Sequence, residues 1–369
     1  MRKIVEVMGE TERRRKAMRA AVKAGAEALL VTHLPDVRYL SGFTGSNGVV
    51  ALAGRRAVLF TDGRYTTQAR AEAEGMRVVI GAKPAPMLAI EWLAGQGVTK
   101  CAFDPSHTTV TEFERLRKAV PGSLRRKFFS PAEGLIPLLR EVKDADEIAR
   151  MRKAAALGCA LFEFILGHMT PAITEAELAA QLEFQARMAG AEAMSFETIV
   201  AGGKRSALPH GLASRAKLPK RGFVTLDFGV VLDGYCSDMT RTVHMGKPSR
   251  QELDVYHSVL EAQEAAVAAV AAGVACGDVD EAARSVLRRD ELDKYFSHST
   301  GHGVGLEIHE GPRVASKQVQ KLEPGMVVTV EPGVYLPEQF GVRIEDMVLV
   351  GARDSEVLTA ASPKGWIEL

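Results

Sequence analysis

The chain is poor in cysteine, and no two of its thiols are near neighbours: Cys101, Cys159, Cys236 and Cys276 lie at least 40 residues apart. There is no Cys-x-x-Cys pair and no dense disulfide framework, so the four read as free thiols and a reducing, cytoplasmic location is the expectation. Long apolar runs are also lacking. The longest small-apolar stretch, Ala265 to Ala275, is far short of the roughly 18 residues that span a bilayer, so no membrane span is expected. The basic start MRKIVEVMGETERRRK is followed by no apolar segment of the kind a secretory leader carries. Neither sign of charge is in excess: 47 Lys and Arg face 46 Asp and Glu, a net of +1. With no global positive field and no charged tail, neither nucleic acid nor an anionic membrane is expected as a partner. What is present is ordinary for a globular protein: 46% hydrophobic and 25% charged residues over 369 positions, room for about two domains.

Apolar runs at Ala28–Val31, Val49–Leu52, Ala57–Phe60, Arg77–Ile80 and Cys101–Phe103 read as strands. Helical stretches at Tyr65–Glu74, Leu88–Leu93 and Thr111–Val120 alternate with them. This is the pattern of an α/β domain, residues 1–139. Its basic cluster Arg13 to Lys16, with Glu10 and Glu12 beside it, reads as a solvated helix face. Prolines at 131 and 137 interrupt the pattern, and one amphipathic helix is expected over Glu141–Glu163, so the second domain covers residues 140–369. Thr174 and Glu177 form a capping-box pattern for the next helix. Helices follow at Arg250–Ala272 and Val279–Arg288, then a strand-rich end. The class is α+β, with helices over a curved antiparallel sheet.

Asp233-Gly234 separates two β-rich runs, a hairpin signal. Asp227 and Asp238 are nearly symmetric about it, so a regular hairpin sets their carboxylates near opposite one another. Glu331 and Glu345 are likewise symmetric about the Leu336–Gly341 connection. Like charges opposed on a ladder are destabilising, and something must neutralise them. Four oxygen donors on neighbouring strands suit a pair of hard divalent cations. Exposed acids on strand surfaces would explain any one of them, but not why Leu226, Phe228, Met239, Val330 and Ile344 flank them. A fifth candidate is His302, in a glycine-rich run that also holds His298 and His309. Glycines 301, 303 and 305 oppose a helix and no His-Glu-x-x-His is present, so a zincin reading fails.

These pieces together resemble the pita-bread metallopeptidases, the family of Xaa-Pro aminopeptidase, prolidase and methionine aminopeptidase. The matching segments are Leu226–Gly229 with Ser237–Thr242, Thr300–Leu306 with Ile308–Glu310, Val330–Gly333, and Val342–Asp346. The first domain is similar as well, through Val37–Asn47 and Asp62–Tyr65; methionine aminopeptidases generally lack that domain. The resemblance implies an N-terminal creatinase-like domain, a C-terminal pita-bread domain and two divalent ions. One ion would be held by Asp238, His302, Glu331 and Glu345, the other by Asp227, Asp238 and Glu345, with Asp238 and Glu345 shared. The oxygen-rich donor set favours Mn²⁺, with Zn²⁺, Co²⁺ or Fe²⁺ also able to occupy it. Such a pair acidifies a water and polarises a carbonyl.

The same resemblance implies that Glu331 shuttles the proton, that His210 contacts substrate and that His309 stabilises the oxyanion. It further implies that His298 is an additional active-site histidine and that Arg343 holds the metal-binding acids. Tyr335 either lines the substrate pocket or packs as a core aromatic, and His210 and His298 also have plain readings as loop or solvated residues. The implied activity is cleavage before a proline in second position, by an Xaa-Pro aminopeptidase, with a prolidase acting on Xaa-Pro dipeptides as the alternative. The implied partner is a peptide, and a homodimer is expected. Creatinase shares the layout without needing metal. A non-catalytic pita-bread module that binds peptides is the competing class, and it typically loses metal ligands.

Overall fold

The computed structural model describes residues 9–369; the first eight residues of the stretch read as carrying no leader lie outside it. The chain folds as two compact units, one ending at Arg140 and the other running from Glu141 to Leu369.

The first unit is built on a six-stranded mixed sheet. Its middle strands Ala28–Val31, Val49–Ala53 and Arg56–Thr61 pair antiparallel, whereas Arg77–Ile80, Cys101–Phe103 and Phe129–Pro131 join in parallel. Buried Ala, Leu and Val side chains of these strands pack with Ile90 and Leu93 of the helix Ala85–Gly95. One local expectation is corrected. Arg13 and Arg14 are buried rather than solvated: their guanidinium groups donate to the carbonyls of Tyr39 and Leu40 at 3.3 and 2.8 Å, and Arg13 stacks 4.6 Å over the Tyr39 ring. The carbonyls belong to a helix, Leu34–Ser41, that the alternation of apolar runs does not reveal because it is two turns long and carries a proline in its first turn.

The second unit is α+β, with every strand pairing antiparallel. The expected helix at 141–163 starts later, at Ala145. Asp144 caps it by accepting from the N–H groups of Asp146 and Glu147, and Val142 and Lys143 run extended against Met326 and Gly325. The Thr174–Glu177 capping box forms, opening the helix Glu175–Met188. These two helices bury Leu161, Phe162, Leu178 and Leu182 against Val224, Leu226, Phe228 and Val243 of the strands Gly222–Phe228 and Met239–Met245. The helices Arg250–Ala269 and Cys276–Arg289 pack in the same way on Val328, Val330, Val342, Ile344 and Val348. Each half of the unit is thus a helix pair over antiparallel strands. Because side chains alternate along a strand, the residues between these core positions face the other way. All four cysteines are free and buried, and no helix among the described residues is long and apolar enough to cross a membrane.

Candidate metal centre

The first acidic hairpin turns through two residues, Asp233 and Gly234, both at positive φ (50° and 81°), as a tight hairpin loop requires. Leu232 pairs with Tyr235, and Asp227 therefore lies opposite Thr240. The expectation that Asp227 faces Asp238 directly is off by two residues. The acids are diagonal neighbours on one face, which keeps them close without setting like charges in register. In the second hairpin Gly333 pairs with Arg343 and Val330 with Asp346, the same register on either side of Glu331 and Glu345, so these two do stand opposite. Glu345 N–H donates to the Thr240 carbonyl at 3.1 Å, joining the hairpins.

Asp227, Asp238, His302, Glu331 and Glu345 all line one cavity of about 680 Å³. Asp238, His302 and Glu345 offer donor atoms within 4.8 Å of one another, the spacing at which three ligands can share an ion. His302 Nε2 lies 3.6 Å from both Asp238 Oδ2 and Glu331 Oε1. Its Nδ1 is 3.0 Å from the Gly303 carbonyl, which takes the ring proton and leaves Nε2 as a lone pair. Burial, opposed by that bond and assisted by His309, lowers the pKa of His302 to about 4, so the imidazole is neutral, as a ligand must be. Asp238 and Glu345 are both pushed well above the carboxylate range. Burial is the first cause and neighbouring carboxylates the next, Glu345 and Asp227 acting on Asp238, Glu331 and Asp227 on Glu345. Glu331 rises to about 8, again through burial, with Arg343 opposing and Asp227 adding.

Asp227 Oδ2 accepts from Arg343 Nη2 at 2.7 Å, while Asp227 Oδ1 is buried with no hydrogen-bond partner among the described residues. A buried carboxylate oxygen without a donor, among converging acids, is a ready ligand for a cation, and the donor set is hard and oxygen-rich. The residues fit divalent ions. Thr240 holds Glu345 by donating to Oε2 at 2.8 Å. The next residue, Asp346, points to the opposite face, where Arg241, Gln263, Thr359 and Lys364 satisfy it.

His210, His298, His309 and Arg343 line the same cavity. His309 packs edge-on against the His302 ring, 4.4 Å between centroids. His298 is neutral, its pKa lowered to about 4 chiefly by burial, and both nitrogens are engaged, Nδ1 by the Ser299 carbonyl and Nε2 by the Tyr335 hydroxyl. Tyr335 is not among the cavity-lining residues: it is 7% exposed and stands behind the wall, bonded to His298 and, at 2.7 Å, to Arg343 Nη1. That fits the core-aromatic reading better than the substrate-lining one. Arg343 also donates to Thr240 Oγ1 and to the Pro209 carbonyl beside His210, so one buried guanidinium ties Asp227, both hairpins and the His210 loop together. Sequence reasoning did not single out Phe196, Leu212, Glu310 or Arg313, which also line the cavity. Arg313 sits directly opposite His302 on the ladder, exposed, and no carboxylate pairs with it among the described residues. Its place in the strand after His309 was the available signal.

The chain is similar to known proteins along nearly its whole length. The metallopeptidase family M24 matches residues 149–352, and the creatinase/prolidase N-terminal domain matches residues 13–142. An Xaa-Pro dipeptidase structure from Bacillus anthracis superposes with a TM-score of 0.94 at 40% identity, covering 98% of this chain and 100% of that one. An X-Pro aminopeptidase structure from Thermotoga maritima gives 0.87 at 33% identity, covering 95% and 100%. The Xaa-Pro dipeptidase of Pyrococcus horikoshii is 33% identical over 349 residues, 94% of this chain and 97% of that protein. With its two-domain α/β layout and its converging acids, this chain belongs to the metallopeptidase family M24, a pita-bread metallopeptidase carrying a creatinase-type N-terminal domain.

Proposed function

We propose that the chain hydrolyses the peptide bond before proline and that Xaa-Pro dipeptides are its preferred substrates. The convergence of Asp227, Asp238, His302, Glu331 and Glu345 on one cavity carries the metal-dependent peptidase reading. Divalent ions held by those five residues, two of them with Mn²⁺ first, would supply Lewis-acid polarisation of the scissile carbonyl and an acidified water. The protein's own groups do the rest. Glu331, which lines the cavity beside His302, carries a proton from the attacking water to the departing proline nitrogen. His309, at the cavity edge, donates to the developing oxyanion, and His210 contacts the substrate from the opposite loop. His298, held between Ser299 and Tyr335, is a fixed wall for the peptide.

The dipeptide preference, over the longer-peptide reading placed first on sequence grounds, is supported by Arg313. A guanidinium in the cavity with no carboxylate partner among the described residues suits the free carboxylate that a dipeptide presents directly after its proline ring. Retention of all five ligand positions argues against a non-catalytic binding module. A homodimer and cytoplasmic residence belong to the same reading, the former checked by sedimentation.

The deciding experiment strips the metal, reloads with Mn²⁺ and compares an Xaa-Pro dipeptide with an Xaa-Pro-Yaa tripeptide. Turnover favouring the dipeptide is expected. Preference for the tripeptide makes the chain an aminopeptidase, and silence on both, with metal bound, ends the proline reading.

A further inference from the structure

Lys143 is an ammonium group with 1% of its side chain exposed, and neither the metal ligands nor the cavity wall uses it. Its Nζ lies 3.1 Å from Glu310 Oε2, on a side chain 5% exposed, and 3.3 Å from the Glu141 carbonyl. A buried pair of this kind regains in attraction little more than it loses in hydration, so its value lies in the geometry it imposes. That geometry is specific. The second oxygen of Glu310 accepts from the Glu307 N–H at 3.0 Å, so one carboxylate clamps the chain on both sides of His309. The carboxylate lies directly over Gly305, where a Cβ would come within 2.6 Å of Oε2. Gly305 in turn accepts from Cys236 N–H and donates to the Glu307 carbonyl, at 2.8 and 3.0 Å. The loop 304–309 is therefore wrapped around the Glu310 head group.

The His309 ring itself is exposed and makes no hydrogen bond among the described residues; its only ring contact is the edge of His302. A side chain without its own polar anchor takes its position from its backbone, and here that backbone is held by the Glu310 clamp and, beneath it, by Lys143. We infer that Lys143, through Glu310, is a positioning residue for His309. The inference rests on the peptidase reading only for its kinetic consequence, since misplacing a catalytic group by about 1 Å costs up to about 100-fold in rate.

The test substitutes Lys143→Met and Lys143→Arg in the full chain. Lys143→Met is expected to lower kcat on the Xaa-Pro substrate about 10- to 100-fold. KM and bound Mn²⁺ should stay within about twofold, and Lys143→Arg should recover most of the rate. In a His309→Ala background Lys143→Met should have no further effect, because groups acting as one unit are non-additive. Equal losses in both backgrounds overturn the inference. An independent readout uses zinc-loaded protein labelled at histidine Cε1: the NMR signal that His309→Ala removes should shift or broaden in Lys143→Met, while those of His168 and His257 stay put. An unmoved His309 signal also overturns it. Should Lys143→Met fail to fold, Glu310→Gln, which keeps the shape and removes the charge, is read in the same way. If the wild-type chain cleaves no Xaa-Pro peptide, the peptidase reading has failed and the NMR comparison alone decides the positioning role.

Discussion

Arg343 binds one oxygen of Asp227 at 2.7 Å and leaves the other buried and, among the described residues, unpartnered. The guanidinium therefore orients the carboxylate without consuming it. Four further bonds fan out from Arg343, to Thr240, Pro209 and Tyr335 through its side chain and to Thr242 through its N–H.

Replacing Arg343 with Lys keeps the charge but not the planar fork, so Asp227 loses its orientation and the links to Tyr335 and Pro209 are lost with it. Metal affinity should fall about 10- to 100-fold, as for other groups that hold metal ligands in place. Titration of the metal-free variant with Mn²⁺ by calorimetry checks this. Affinity equal to wild type would mean that Asp227 is oriented by something other than Arg343.

Stability without metal should depend on pH in an unusual direction. Glu331 has its pKa raised from the ordinary 4.5 to about 8, and Asp238 and Glu345 shift the same way. Folding takes up protons at these groups; the contribution of Glu331 is fully present below about pH 4.5 and lost as pH rises through about 8, and those of Asp238 and Glu345 fall off in the same direction. Cations replace those protons, and the gain in Tm on adding Mn²⁺ should widen steadily from pH 5 to pH 8. Scanning calorimetry with and without metal reads this gap, and a constant or narrowing gap contradicts the charge arrangement described here.

Arg313→Met separates the two substrate readings. Losing a charge-assisted bond worth about 1.5–3 kcal/mol should lower kcat/KM on an Xaa-Pro dipeptide about tenfold or more. The amidated dipeptide, which lacks the carboxylate, should be nearly indifferent. Equal losses on both substrates would remove Arg313 from carboxylate recognition.

Gly229 tests how the first hairpin brings its acids together. A Cβ at this position would overlap the Ser237 carbonyl, a backbone atom that cannot swing aside. Gly229→Ala should destabilise the protein by about 1–3 kcal/mol, measured by urea denaturation. An unchanged midpoint would mean the strands separate more easily than their register implies.

Much of this was legible in the residue order because it rests on local rules. Alternation along strands sets Asp227 apart from Leu226 and Phe228, and a turn of known chemistry at Asp233-Gly234 sets which segments pair. Symmetry about the second connection paired Glu331 with Glu345 correctly, since the ladder runs in one register through both. Symmetry about the first missed by two residues, because register depends on where the turn residues sit, and a two-residue loop puts Thr240 rather than Asp238 opposite Asp227.

What the order of residues could not carry are relations between groups far apart in the chain. Arg13 and Arg14 look solvated beside their acidic neighbours, yet they end on carbonyls 26 residues away. Tyr335 and Arg343 are close in sequence, but their bond to each other, and their reach to His298 and Asp227, exist only once the two hairpins pack. The buried contact of Lys143 with Glu310 spans 167 residues. Residue type and spacing determined the chemistry available, a set of hard ligands with histidines beside them. Burial, which exists only in the folded chain, decided which of those groups are neutral, which are oriented and which face one another across the cavity, because desolvation and charge proximity act through space rather than along the chain.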